Sequence, residues 1–490
     1  GTWFWNRYPG ARCDVESVVY SYSFSPELEQ EWNWTERFPT QPEVLSYINH
    51  VADRFDLRRD ITFNERVVAV VFDEQTSTWR ATTDRGNTFT GQFFIAATGA
   101  LSIPNIPTID GLDQFGGRVL HTGHWPTEPV DLNGLRVGVI GTGSSGIQVI
   151  PIIAEQAQHL YVFQRTPNFS LPARNAPLDP EFVAKVKASY PQIREAARNS
   201  PGGHALEYGE TPALSVPESQ RLAKYEEHWQ IGGPGLLLVY SDLRTVQEAN
   251  DGLADFVRGK IRSIVHDPKV AELLCPVDHP IGAKRVCVDT DYYATYNRDN
   301  VTLVDLRATP IVQVTERGIQ TTDQTIDLDC IVLASGFDAM TGALTRMNVV
   351  GRDGLALNDK WANGPQAYLG LAVHGFPNLF TITGPGSPAV LSNVVLSIEQ
   401  HVDWIAGCLT YLAEHGYTSV EASAEAEHDW TEHVRDAASR SLFPKANSWY
   451  LGANVPGKPR VFLPYAGGVA QYRAKCREIA EDSYRGFDFR

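Results

Sequence analysis

The chain has 490 residues, 43% of them hydrophobic, and a formal net charge of −16. That length exceeds one ordinary core and predicts two or three domains, and the charge argues against nucleic acid or an anionic membrane as the main partner. No apolar run approaches the roughly 18 residues a spanning helix needs, and the six cysteines (Cys13, Cys275, Cys287, Cys330, Cys408, Cys476) lack CxxC spacing, which predicts reduced thiols in a cytoplasmic protein and no metal site.

In chain order, Thr40-Gln41-Pro42-Glu43 has capping-box spacing, and Val44, Ile48, Val51 and Phe55 follow at helical intervals, predicting a helix. Short β-rich runs at 62–63, 67–72, 79–83 and 89–96, separated by turn residues, predict an antiparallel meander. The last run ends at Ala97-Thr98-Gly99-Ala100-Leu101, on its own a strand terminating at glycine. The stretch from Phe115 to Pro126 reads by itself as a buried linker with a structural histidine, His121.

Next, Arg136-Val137-Gly138-Val139-Ile140 runs into Gly141-Thr142-Gly143-Ser144-Ser145-Gly146, and Ile147-Gln148-Val149-Ile150 begins a helix. An apolar strand, a glycine turn and a helix in that order form a dinucleotide fingerprint: the glycines allow the turn and a close approach to a pyrophosphate, and the helix N-terminus offers N–H groups. A second strand at 160–163 ends at Gln164-Arg165-Thr166. An NAD binder would place Asp or Glu here for the ribose 2′-OH. Arg165 and Thr166 instead suit a 2′-phosphate, so NADP(H) is favoured over the alternative of an exposed strand-end arginine.

Residues of about 175–280 read as a helix-rich insertion with no catalytic pattern, broken at Pro201-Gly202-Gly203 and Gly232-Gly233-Pro234-Gly235. Strands resume at 301–304, 311–314, 319–321 and 330–334, the last meeting Ser335-Gly336-Phe337-Asp338. A strand at 378–383 leads through the turn Gly384 to Pro388 to a helix capped by Ser392 or Asn393. Its predicted apolar stripe is Ile398, Val402, Ile405, Leu409 and Leu412, with Gly416 as its stop.

Phe115, Gly117, His121 and Trp125 stand in the pattern F-x-G-x-x-x-H-x-x-x-W-P, which resembles the fingerprint of the flavin-dependent Baeyer–Villiger monooxygenases; related N- and S-oxidising flavin enzymes have Phe or Tyr where Trp125 stands. Residues 1–14, Gly384 to Pro388 and Ser448 to Lys458 are similar to the same family. The resemblance implies an α/β flavoprotein with two Rossmann-like dinucleotide-binding domains. FAD would occupy residues 1–105 and the return at 339–490, and NADP residues 106–338 with the helical insertion at about 175–280. Family members open with a βαβ unit carrying a first GxGxxG, and such a unit needs roughly thirty residues. The chain, opening at Gly1 in mid-motif, therefore reads as N-terminally truncated, and these 490 residues are expected to hold FAD weakly.

In that family NADPH reduces FAD, the reduced flavin captures O2 as a C4a-peroxide, and this adds to a ketone carbonyl to give an ester or lactone. Such chemistry calls for a fixed cation. By itself Lys284-Arg285 reads as a solvated basic pair. The resemblance makes Arg285 the catalytic cation, Lys284 a ligand of the NADP 2′-phosphate and Asp14 the carboxylate that orients Arg285; the plain alternative for Asp14 is a loop-stabilising carboxylate. It implies Thr2, Trp3, Asp14 and Tyr20 as FAD-lining residues, and Trp449 as a tryptophan closing over the nicotinamide ribose, or otherwise packing. Gly141 to Gly146, Gln148, Arg165 and Thr166 become NADP-binding, and Ala100, Leu101, Ala389, Val390 and Leu391 a substrate pocket. His121 is expected to position domains rather than to donate a proton. The implied partners are a small ketone and O2, and the protein is expected to be a monomer. Two alternatives stand beside this reading: an N- or S-oxidising flavin monooxygenase, and a non-catalytic NADP-binding fragment. No GxSxG elbow supports a hydrolase.

Overall fold

The computed structural model describes residues 1–490. At its centre, five parallel strands run in the order Val301–Asp305, His159–Gln164, Arg136–Ile140, Cys330–Leu333, Arg118–His121. Parallel strands need crossovers and become buried on both faces. Accordingly Val137, Val139, Leu160, Val162, Ile331 and Val332 are all inaccessible. The helix Ser144–Gln156 crosses between the second and third of these strands, carrying Ile147, Val149, Ile150 and Ile153 into the same core.

The helical insertion is continuous with that core. Tyr225 and Trp229 from the helix Glu218–Ile231, and Leu253, Val257 and Ile261 from Gln247–Ile264, pack in one cluster with the sheet residues. The strands Ile311–Thr315, Gly318–Thr321 and Thr325–Asp327 form a separate antiparallel sheet over Phe115 and Phe163.

The meander forms with two corrections. Residues 62–63 form no strand, Phe63 entering a turn with Asn64, and the run at 89–96 splits into Thr88–Gly91, paired antiparallel to Thr78–Thr83, and Phe94–Ala96, paired parallel to Leu379–Thr381. That last pairing carries the chain from the meander to the segment ending at Leu101. The helix Gln41–Arg54 forms where predicted, but Thr40 makes no side-chain cap; Glu43 accepts the backbone N–H of Thr35 (2.7 Å) instead of closing a box. The long helix Val394–Glu414 is capped by Asn393, whose Oδ1 accepts from Val395 N–H (3.2 Å), and it ends before Gly416 at φ +72°. Its buried face is rotated from the predicted stripe: Ser397, His401, Trp404, Ile405, Cys408 and Leu412 are inside, and Val402 is exposed. His401 is neutral there, burial lowering its pKa to about 3. Its Nδ1 accepts the Thr383 N–H (3.0 Å) and its Nε2 meets Tyr472 Oη (3.0 Å).

All six cysteines are free and buried. No helix is long and apolar enough to cross a membrane, and no group of three or more His, Cys, Asp or Glu is arranged around a metal position.

Candidate active site

The glycine turn after Ile140 is built for close approach. Gly141 has φ +110°, and a Cβ on it would lie 2.6 Å from the Ala334 carbonyl oxygen; one on Gly146 would lie 2.3 Å from Gly141 O. Around Gly143 the space is open, and the helix starting at Ser144 has no side-chain cap. Its first N–H groups and the partial positive charge of the helix end are thus free of a side-chain cap and suited to a pyrophosphate. Thr142 Oγ1 donates to Thr166 O (3.0 Å), tying the turn to the end of the neighbouring strand, and Ser145 Oγ meets Thr122 Oγ1 (3.0 Å). Ser144 Oγ accepts from the Cys287 thiol (3.2 Å).

Just before Thr166, Arg165 is exposed and makes no ion pair with protein. Lys284 is half-buried, its pKa lowered by desolvation and by the charges of Arg165 and Arg307, with Asp278 pulling the other way. Asp278 is already engaged, by Arg307 (2.6 Å) and His279 (2.7 Å). Two cations without a dedicated carboxylate, flanking a bare helix N-terminus, leave room for a further anion.

Next to Lys284, Arg285 crosses to the N-terminal segment. Its Nη2 donates to Asp14 Oδ2 (3.2 Å), and Asn168 Nδ2 holds its carbonyl (2.9 Å). The guanidinium lies deep in the molecule yet keeps 36% of its side-chain surface open, against 9% for Asp14, so Arg285 lines an internal cleft while Asp14 backs it. Burial works against the charge on both partners. On Asp14 burial wins and the pKa is raised, although Arg285, the Val288 N–H and Gln148 oppose it. On Arg285 burial, the largest single effect, is outweighed by Asp14 together with Tyr450, Cys287 and Cys13, and the pKa is raised, so the cation is permanent. Tyr20 lies within the field of Arg285, and Trp3 Nε1 donates to its Oη (3.1 Å) with the rings edge-on; elsewhere on the same N-terminal segment Trp5 stacks on His124 at 4.5 Å. The helix Thr2–Trp5 buries none of its residues, leaving Phe4 and Trp5 as open apolar surface.

Known proteins match this arrangement along its whole length. The family model described as pyridine nucleotide-disulphide oxidoreductase matches residues 17–194. A Baeyer–Villiger monooxygenase of Pseudooceanicola batsensis is 44% identical over 487 residues, covering 99% of this chain and 88% of its own. The chain belongs to the Baeyer–Villiger monooxygenases. Among solved structures, a steroid monooxygenase bound to NADP superposes with a TM-score of 0.95 at 55% identity, and OTEMO in complex with FAD and NADP with 0.97 at 43%; each alignment covers 100% of this chain and 92% of the other. The fold is accordingly the two-dinucleotide-domain α/β architecture of these flavoproteins.

The remaining candidate residues of this Baeyer–Villiger monooxygenase fall into two groups. Ala100, Leu101, Ala389, Val390 and Trp449 meet in one small apolar cluster with Met340 and Leu463, so the predicted pocket residues converge. Leu391 continues the same turn, half-buried, and Ala389 is held at φ +36° within it. The turn carrying Trp449 is latched in place: Asn454 Nδ2 donates to Phe337 O (2.7 Å) and Lys458 Nζ pairs with Asp338 (2.7 Å). Thr2 is exposed at the rim.

The fingerprint residues are latches of another kind. Phe115 and Trp125 are buried, and a Cβ on Gly117 would strike Asp329 O at 2.4 Å. His121 Nδ1 accepts the Gly123 N–H (2.9 Å), so its proton sits on Nε2 and donates to Ser335 Oγ (3.2 Å), which donates to Asn105 O (2.6 Å). Burial lowers the His121 pKa, keeping it neutral.

Three features had no signal in the sequence pattern. The insertion returns to the cleft at Gly202, whose carbonyl accepts the N–H of Asn393 (3.0 Å). This brings His204 into the field of Arg285, and burial together with Arg285 and Arg244 lowers its pKa to about 4. Tyr450 is buried within the field of Arg285 as well. Asp289, four residues beyond Arg285, accepts from Ser170 Oγ–H and from Tyr292 N–H (3.1 Å), and burial pushes its carboxyl up to about 6.

A raised folded pKa means a stabilising contribution that is complete below the ordinary Asp value of about 4 and is lost as pH rises through about 6. Asp289→Asn should therefore lose less melting temperature than wild type between pH 4 and pH 7, read by scanning fluorimetry; parallel curves would place the ionisation elsewhere.

Proposed function

We propose that this protein converts a small ketone into an ester or lactone with NADPH and O2, holding FAD beside Arg285 and NADP(H) on the Ser144 helix. The balance is ketone, O2, NADPH and a proton giving ester, water and NADP+. The single observation that carries the reading is Arg285: a cation fixed by a buried carboxylate, with 36% of its side-chain surface still open to meet a substrate. Bound FAD supplies the reduction of O2. The residues present fit that group on one side, where the Trp3–Tyr20 pair and Asp14 offer an aromatic surface and fixed dipoles of the kind a flavin ring requires.

Each side chain then has a definite task. Arg285 stabilises negative charge on the oxygen that adds to the ketone and on the resulting adduct, from a position preorganised by Asp14. Asp14 sets the direction of that cation. Arg165 and Lys284 hold the 2′-phosphate, Gly141 to Gly146 the pyrophosphate, and Trp449 covers the nicotinamide ribose. Ala100, Leu101, Ala389, Val390 and Leu391 shape an aliphatic pocket for the substrate. Residues 1–105 with 339–490 form the FAD domain and 106–338 the NADP domain. We also read the protein as a cytoplasmic monomer, the location resting on its six free, buried thiols.

The test is product analysis with the FAD-loaded enzyme. Cyclic and aryl ketones incubated with NADPH and O2 should yield ester or lactone in proportion to NADPH consumed, by gas chromatography. Oxygenation of a sulfide or amine with no ester from any ketone would replace this reading with the N- or S-oxidising one.

A further inference from the structure

The amide of Gln148 is spent inside the protein. Its Oε1 accepts Tyr8 Oη–H (2.8 Å) and the Arg12 N–H (3.4 Å), and its Nε2 donates to Arg12 O (3.1 Å) and Asp14 Oδ1 (3.3 Å). A primary amide has two acceptor sites and two donors; here all four are directed at residues 8–14. The approach is close because Gly10, at φ +84°, has no Cβ; one there would sit 2.5 Å from Gln148 O. Asp14 is consequently gripped from both sides, Oδ1 by Gln148 and Oδ2 by Arg285 (3.2 Å).

We propose that Gln148 is a positioning residue for the oxygenation step: from the second turn of the nucleotide-binding helix it fixes the plane of the Asp14 carboxylate, and through it the direction of Arg285. The proposal rests on the reading of Arg285 as the catalytic cation. The Val288 N–H also acts on the Asp14 carboxylate, but the Gln148 amide is the side chain that holds Oδ1 and restrains its pivoting about the Cβ–Cγ bond, a motion that would swing Arg285 with it. The same helix presents its N-terminus to the pyrophosphate, so one rigid element sets both the nucleotide and the cation.

The Gln148 bond also favours the charged form of Asp14, which burial opposes. Without it the carboxyl takes up a proton at higher pH, and Arg285 loses its partner there. The other groups facing Asp14 are Tyr8, Cys13, Cys287 and Asp289. Burial raises the tyrosine and pushes both thiols up to about 12, so these three stay neutral, and Asp289 is the one competing titration, at about 6.

Two variants of the FAD-loaded enzyme test this. Gln148→Met keeps the length and loses every hydrogen bond; Gln148→Glu keeps acceptance from Tyr8 and Arg12 but sets a second carboxylate against Asp14, so that the two share a proton. In both, ester formed per NADPH should fall at least about fivefold, and the acid limb of coupling against pH should move upward by about one pH unit in Met and further in Glu. The same shift is expected on an Asp289→Asn background, and NADP+ affinity by calorimetry should stay within about twofold. A tenfold loss of NADP+ affinity with coupling intact would make Gln148 a nucleotide ligand and overturn the proposal. A lowered melting temperature with coupling and acid limb unchanged would overturn it in favour of a purely structural amide. If wild type itself makes no ester, the reading of Arg285 fails separately, and the Asp14 carboxyl titration followed by 13C NMR still decides: a higher midpoint in Gln148→Met supports the positioning role, and an unchanged one overturns it.

Discussion

Arg285→Ala is expected to abolish ester formation while NADPH continues to be consumed. Reduction of the flavin requires the nicotinamide to be placed, which depends on the glycine turn, Lys284 and Arg165, and these stand apart from the Arg285 guanidinium. Oxygen transfer requires negative charge to be held where water is scarce, and Arg285 supplies the one cation salt-bridged to Asp14. Losing a preorganised charge of this kind costs about 3–4 kcal/mol, a factor of several hundred in rate. The variant should then oxidise NADPH slowly and release hydrogen peroxide in equal amount. It should still fold: Asp14, already raised by burial, takes a proton once its partner is gone and leaves no orphaned buried charge. Ester by gas chromatography, set against NADPH consumed, decides the matter. Ester still formed in proportion to NADPH would make the arginine structural and the mechanism wrong.

The residues around this cation differ in how legible they were from sequence, for physical reasons. The nucleotide unit could be read directly, because a strand, a glycine turn and a helix are local: Gly141 and Gly146 are required by backbone atoms within one crossover and its neighbouring strand. Four of the five parallel strands were equally readable, since burial on both faces writes a continuous apolar run; the edge strand Arg118–His121, with Arg118 and Val119 exposed, read as a linker. Caps and faces were less so. Glu43 has the spacing for a capping box, yet a nearby N–H at Thr35 takes its carboxylate. The helix Val394–Glu414 is enclosed on more than one side, so its buried face includes Ser397 and His401, which no apolar stripe would reveal. Thr62-Phe63 has strand composition but finds no partner strand. The cleft itself was legible only through family resemblance. Asp14 meets Arg285, and Gly202 meets Asn393, across separations that periodicity cannot bridge, and His204 gains its environment solely from that meeting.

The second large effect concerns the choice of nucleotide. Arg165→Ala should raise KM for NADPH by about 30–100-fold and leave KM for NADH nearly unchanged. Arg165 stands at the end of the strand His159–Gln164, where a carboxylate would mark an NAD enzyme, and it faces no acidic partner of its own. Charge-assisted hydrogen bonds to a phosphate are worth about 1.5–3 kcal/mol, and the exposure of this arginine places it toward the middle of that range because solvent and salt screen it. Two further observations follow from the same electrostatics. The preference for NADPH over NADH in wild type should shrink as ionic strength rises, since both charges are at the surface. Lys284, whose ammonium is disfavoured by burial and by the neighbouring Arg165, becomes easier to keep charged in the variant, so part of the 2′-phosphate affinity survives rather than all of it vanishing. The measurement is steady-state kcat/KM for each cofactor at two salt concentrations with one ketone. A uniform loss for NADPH and NADH alike would mean that Arg165 shapes the turn rather than reading the phosphate, and the selectivity would then have to reside in Lys284.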